Sequence, residues 1–89
     1  MAKFTIFFKD KPLNIYEIES GVVYIGRDNT NTIAIDNLSI APIHAIAVVG
    51  KSDCLIKQVN DGFPLIIKGE NHKEYPLADN DRVTLGKYE

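Results

Sequence analysis

The chain has no tryptophan, one cysteine, one methionine and two histidines in 89 residues. A lone Cys54 excludes an internal disulfide, and one thiol with His44 and His72 falls short of the four ligands of a structural zinc site. No apolar run reaches the length of a signal-peptide core or a spanning helix, because the opening stretch Phe4-Thr5-Ile6-Phe7-Phe8 is stopped by Lys9-Asp10-Lys11. An excess of positive charge is missing too. Ten scattered Lys and Arg stand against 12 Asp and Glu, a net charge of -2, which argues against nucleic acid as a partner. These absences predict a cytoplasmic domain with no metal, no cofactor and no direct membrane insertion.

What is present points to strands. A hydrophobic share of 45% and a charged share of 25% are those of a folded chain, and 89 residues make one small domain, residues 1–89. Twelve Ile and six Val outnumber six Leu and six Ala, so β-branched side chains dominate, and no helical period of useful length occurs. Turn signals recur at short, regular intervals: Asp10-Lys11-Pro12, Ser20-Gly21, Asp28-Asn29, Asp36-Asn37, Gly50-Lys51, Asn60-Asp61-Gly62, Gly69-Glu70 and Asp79-Asn80. Between them apolar residues alternate, with Phe4, Ile6 and Phe8 on one side of a strand and Lys3, Thr5, Phe7 and Lys9 on the other. The run Ile43–Val49, apolar at both parities, predicts a central strand covered on each face. Pro64 and Pro76 fit the starts of short strands. The pattern predicts an all-β sandwich of about nine strands in two sheets, with function in its loops.

Few residues qualify for catalysis. His44 lies within an apolar run, where a structural hydrogen bond is its expected role, and no nucleophile, base and acid converge in the pattern. Cys54 opens an apolar strand with no cation beside it in sequence, as an inert core thiol would. Asp28, Thr30 and Asn31 start like a calcium loop, but Ile33 stands where such a loop needs Gly. Asn37-Leu38-Ser39 matches a glycosylation sequon by chance in a chain without an export signal. The chain is not expected to be an enzyme.

One ordered constellation remains. Gly26-Arg27 follows the strand Val22–Ile25, a loop from Asp36 to Pro42 runs into His44-Ala45, Asn60-Asp61-Gly62 follows the strand Cys54–Val59, and Leu77–Gly86 closes the series. From about Val22 to Gly86 this resembles the forkhead-associated (FHA) domain, a β-sandwich of about nine to eleven short strands that reads phosphothreonine peptides from loops at one end. The resemblance implies that Arg27 grips phosphate, and a planar guanidinium suits two parallel bonds to such an anion. It also implies structural roles for Gly26, His44 and Gly86.

The binding loop departs from the family's pattern. Ala41 stands where the family usually has a Ser that donates hydrogen bonds to the phosphate, Pro42 where a basic residue is common, and Asp61 where an Asn holds the peptide backbone beside Gly62. Losing two charge-assisted bonds of about 1.5–3 kcal/mol each weakens binding about a hundredfold or more. Asn37 and Ser39 are the candidates to compensate.

The run Ile40-Ala41-Pro42-Ile43-His44 also resembles the cytoplasmic FHA-like domain of YscD-type inner-membrane ring proteins of bacterial type III secretion systems, which implies an assembly contact in a membrane-anchored protein. Two readings stay open: an interaction module with weakened phosphothreonine recognition, or a phosphothreonine reader that relies on Arg27. Only Lys87-Tyr88-Glu89 follow Gly86, fewer residues than the family's usual last strand. That predicts an open edge along Lys3–Lys9 and a homodimer through it.

Overall fold

A computed structural model describes all 89 residues as nine strands and no helix. They are β1 (Ala2–Phe8), β2 (Lys11–Ile18), β3 (Gly21–Gly26), β4 (Ile33–Ala34), β5 (Ala45–Val49), β6 (Cys54–Gln58), β7 (Ile66–Ile67), β8 (Glu70–Asn71) and β9 (Glu74–Pro76). No helix is long and apolar enough to cross a membrane.

One layer is a five-stranded sheet in the order β4-β3-β5-β6-β9, antiparallel except for the β3–β4 pair. The other layer is assembled in pieces. The β1–β2 and β7–β8 ladders are joined by isolated bridges, Phe8 to Tyr88, Leu85 to Tyr88, and Ile66 to Thr84. The expected two-sheet sandwich is therefore present, with its second sheet continuous only through single bridges. Between the layers lies a core of β-branched side chains, Ile6, Val23, Ile25, Ile33, Ile35, Ile40, Val49 and Ile56, with Leu65 and Leu85. Their stiff χ1 angles suit the pleated faces that the composition predicts.

Three details differ from the pattern's prediction. β5 is central in its sheet, but only Ala45, Ala47 and Val49 face the core. Val48 is 42% exposed and pairs across the outer face with Val22 and Leu55. The apolar run therefore marks one covered face, and the other lies open. Pro76 ends β9 instead of starting it, and Pro64 lies in the loop before β7. At both places the missing N–H falls outside the central ladders, which is the physical content of the rule.

The edge of β1 is also not open along its whole length. The chain turns at Gly86, where φ is +57°, and runs back so that Phe7 and Glu89 exchange both backbone bonds, at 2.7 and 3.0 Å. Tyr88 stacks on Phe8 at 5.0 Å, and the Arg82 guanidinium lies 4.7 Å over the Phe7 ring while donating to Glu89. By strand alternation, only Lys3 and Thr5 keep outward backbone groups free for further pairing. Three residues thus do part of the work expected of a longer strand. Replacing Tyr88 with Ala removes the ring pair and loosens this strap, and is expected to lower stability by about 1–3 kcal/mol in urea denaturation. An unchanged midpoint would show that the strap contributes nothing.

Candidate functional site

β3 ends at Gly26 and β5 begins at Ala45, so the loops 27–32, 36–44 and 59–64 gather at one end of the sandwich. A relay of hydrogen bonds ties them together. Arg27 N–H donates to the Ala41 carbonyl at 2.9 Å, Ala41 N–H donates to His44 Nδ1 at 3.1 Å, and His44 Nε2 lies 3.1 Å from the Pro64 carbonyl. Because Nδ1 accepts from an amide, the ring is neutral and its proton sits on Nε2, the atom that donates to Pro64. His44 is fully buried, and burial lowers its pKa from 6.5, the bond to Pro64 opposing this more weakly. The Phe63 ring packs edge-on against it at 5.6 Å.

Gly26 lies where the loops press closest. A Cβ there would come within 2.3 Å of the Pro42 carbonyl oxygen, so no side chain fits without moving the loop. The Asp28 amide and the Asn31 side-chain amide both donate to that same carbonyl, and Asn31 Nδ2 also bonds the Asp28 carbonyl at 2.7 Å. Asn31 is buried and serves as the internal brace of the 28–31 turn. In the sequence Asn31 stands out only as part of a rejected calcium loop, because the carbonyls that its two amide hydrogens reach belong partly to a distant segment. At the far side, Gly86 packs so tightly on Ser39 that a Cβ would come within 2.3 Å of its carbonyl oxygen.

Arg27 is half-buried, and every other lysine and arginine is exposed. Its Nε donates to the Ile40 carbonyl at 3.1 Å, and no carboxylate lies within ion-pair distance, Arg82 being the only cation so paired. Of the two candidates for compensation, Asn37 Oδ1 accepts the Ser39 amide and Ser39 Oγ accepts the Lys87 amide, which leaves the Asn37 Nδ2 group and the Ser39 hydroxyl with donors to spare. Ala41 is fully buried with its amide closed on His44, and Pro42 is exposed without a donor. In the third loop, Asn60 Oδ1 accepts the Gly62 amide and Asp61 is exposed with no hydrogen bond from its carboxylate. The relay links Arg27 to Ala41 directly and reaches Pro64 in the 59–64 loop through His44, while Asp28 and Asn31 hold Pro42.

Apolar groups surround the arginine's loop. Leu38 is 83% exposed at the tip of the Asn37–Ser39 turn, Ile43 is 42% exposed after Pro42, and Val59 is exposed where its amide bonds the His44 carbonyl. A depression of about 390 Å³ lies away from these loops, lined by Lys68, Arg82, Asp81 and Glu89 beside the β7–β8 turn. Of its two cations, Arg82 is already paired with Glu89. Cys54 is half-buried, and burial followed by the Asp53 charge pushes its thiol up, away from nucleophilic use.

The FHA domain family model matches residues 23–86, from the core residue of β3 to the glycine of the last turn. No curated protein matches the chain. Among solved structures, the FHA domain of CT664 from Chlamydia trachomatis superposes with a TM-score of 0.87 at 21% identity, covering 97% of this chain and 89% of that one. An FHA domain with phosphothreonine-dependent interactions gives 0.83 at 19% identity over 98% and 91%. The cytoplasmic domain of the type III secretion sorting-platform protein PscD from P. aeruginosa gives 0.78 at 18% identity over 99% and 76%.

Two outcomes test this geometry. Above pH 6.5 His44 is neutral both folded and unfolded and the domain keeps its full stability. Below it the unfolded chain takes up a proton that the native ring resists, so stability falls with pH, by at most about 1.4 kcal/mol per pH unit. Urea denaturation between neutral and mildly acidic pH should show this slope in the native chain and lose it in His44→Gln; equal slopes would mean the tautomer is wrong. Gly26→Ala should cost about 1–3 kcal/mol, read as a lower melting temperature, and an unshifted melt would contradict the close contact with Pro42.

Proposed function

The chain belongs to the FHA domain family, whose members are non-catalytic interaction modules, and on that premise we propose that it docks a protein partner through its loop end without needing phosphothreonine, as an assembly contact in a larger protein. The observation that carries this reading is the fate of Ala41: the position has no hydroxyl, and its amide is spent on His44. Pro42 has no N–H to offer, and the Ser39 amide is held by Asn37. A dianionic phosphate brought to Arg27 would find one cation and no amide to take up at Ala41, Pro42 or Ser39, beside the exposed carboxylates of Asp28, Asp36 and Asp61. Each charge-assisted bond that cannot form costs about 1.5–3 kcal/mol of affinity, so two missing bonds leave a micromolar reader at about 0.1 mM or weaker.

The exposed apolar groups Leu38 and Ile43 are held on a loop whose backbone is fixed by Asn37, Arg27 and the Ser39–Gly86 contact. A rigid loop gives up little entropy on binding, which favours a standing contact. The shared fold with the PscD domain, together with the Ile40–His44 resemblance, supports a place beneath a membrane-anchored assembly on the cytoplasmic side.

A second reading is favoured by Arg27 itself, which keeps guanidinium N–H groups free of any carboxylate. In that reading the chain remains a phosphothreonine reader like its structural neighbour. The two separate in one experiment. A photo-crosslinking residue at Ile43, with one at Glu19 as a distant control, is activated in an extract of the source cells before and after phosphatase treatment. Crosslinking specific to position 43 that survives phosphatase is the expected result. Loss of the crosslinked species on dephosphorylation would establish the phosphothreonine reader instead.

A further inference from the structure

An antiparallel sheet with one face on the core and the other in water carries polar residues on its outer face. The five-stranded sheet does not. Strand alternation sends Val23, Ile25, Ala45, Ala47, Val49 and Ile56 into the core, which leaves Val22, Tyr24, Ile46, Val48, Leu55 and Lys57 on the opposite face. The ladders align these residues in two rows. Val22 pairs with Val48, Val48 with Leu55 and Leu55 with Pro76, so the first row is aliphatic across four strands. The second row runs Tyr24, Ile46, Lys57, Glu74. Val22, Tyr24, Val48 and Pro76 are exposed, and Ile46 and Leu55 are partly covered without being packed against the core.

A contiguous apolar face marks a place where another surface lands, and the two rows indicate which surface. Consider a two-fold axis that runs along the strands between β5 and β6. It lays the aliphatic row on itself, with Val48 over Leu55 of a second copy and Val22 over its Pro76. The same rotation sets Tyr24 over Glu74 of the second copy and Ile46 over the methylene stem of its Lys57. These polar groups are free to engage. The Tyr24 hydroxyl makes no hydrogen bond within the chain, and Lys57 and Glu74 are register partners that form no ion pair, since Arg82 holds the only two. The symmetric arrangement therefore brings a hydroxyl donor to an unpaired carboxylate twice. With one positive and one negative charge in the two rows, the face does not repel its own copy, and it offers no basic cluster to an anionic lipid surface.

We propose that the outer face of the five-stranded sheet is a self-association surface, on which two copies of the chain pack face to face with their strands aligned. Four strands about 4.8 Å apart and five residues of about 3.3 Å each give a patch of roughly 19 by 17 Å. That size lies at the low end for a specific interface, so the dimer is weak and fills as copies are concentrated. An axis along the strands keeps both loop ends on the same side. The dimer thus presents two loop ends together, and a partner with two matching segments gains avidity from it. This goes beyond the docking role proposed above and does not rest on it.

Sedimentation of the full chain from micromolar to millimolar concentration should show a reversible monomer–dimer equilibrium. Val48→Asp sets a charge in the middle of the aliphatic row and should weaken the dimer at least about tenfold. Ile15→Asp, at an equally exposed aliphatic position on β2, is the control and should leave the equilibrium unchanged. A second measurement reads the arrangement itself. With Cys54→Ser as background, Val22→Cys and Pro76→Cys place thiols about 14 Å apart within one chain, so a short thiol-reactive spacer joins them only between copies. A crosslinked dimer is the expected product. Thermal melts establish that each variant folds, and if Val48→Asp does not, the crosslink decides. A monomer at every concentration, a dimer that survives Val48→Asp or dissolves with Ile15→Asp, or the absence of the crosslinked species would each overturn the proposal. None of these results bears on photo-crosslinking at Ile43, so the dimer and the loop-end docking fail separately.

Discussion

The neutral imidazole of His44 is the constraint on which the loop end depends. Its two nitrogens face opposite demands, one accepting from the Ala41 amide and the other donating to the Pro64 carbonyl, so a single buried ring holds two loops at fixed separation. Ala41 passes the constraint to β3 through its carbonyl, which receives the Arg27 amide. No other uncharged side chain offers an acceptor and a donor on opposite sides of a rigid plane in this way. Burial keeps the ring neutral, and neutrality is what lets Nδ1 accept, so the packing around His44 and its hydrogen bonds sustain one another.

The same bond shapes what the end can bind. An amide that braces the scaffold is unavailable to a ligand, and in this chain the residue contributing that amide has no side-chain hydroxyl to take its place. Stability and recognition therefore compete for one N–H group, and stability holds it. Asn37 and Ser39 repeat the pattern in part, since each spends an acceptor on fixing the loop's shape while its donors stay free. A polar residue on a loop tip is thus weak evidence of binding until its local partners are known.

That distinction separates what the sequence made legible from what it did not. Strand content and the alternation in β1 followed from side-chain chemistry, and the close approaches at Gly26 and Gly86 fall where the family resemblance expects structural residues. Each depends on local pattern or on a steric requirement that tolerates one residue type. The exposed outer face of β5, the strap formed by Tyr88 and Glu89, and the brace at Asn31 were not legible. They depend on which segment arrives from a distance. An apolar parity does not say whether a second layer covers it, and three residues after a turn do not announce that they will pair with β1. The commitment of the Asn37 and Ser39 acceptors escaped for the same reason: one partner is set by the turn, and the other comes from residue 87.

Exposed aliphatic groups and an unpaired guanidinium at one loop end would be a liability on a surface that met only water. Leu38 contacts solvent over most of its area, and holding it rigid does nothing for folding that an Asn or Ser at the same turn would not do better. The surrounding bonds nonetheless fix the backbone on both sides of it, through Asn37 before and the Ser39–Gly86 contact after. A loop selected only for solubility would relax these restraints and replace the apolar tip. Rigid backbone, apolar tip and unpaired charge together make sense when a second molecular surface supplies the missing contacts, because preorganisation lowers the entropy lost in docking and burial of the aliphatic groups returns the hydrophobic free energy that folding left unused.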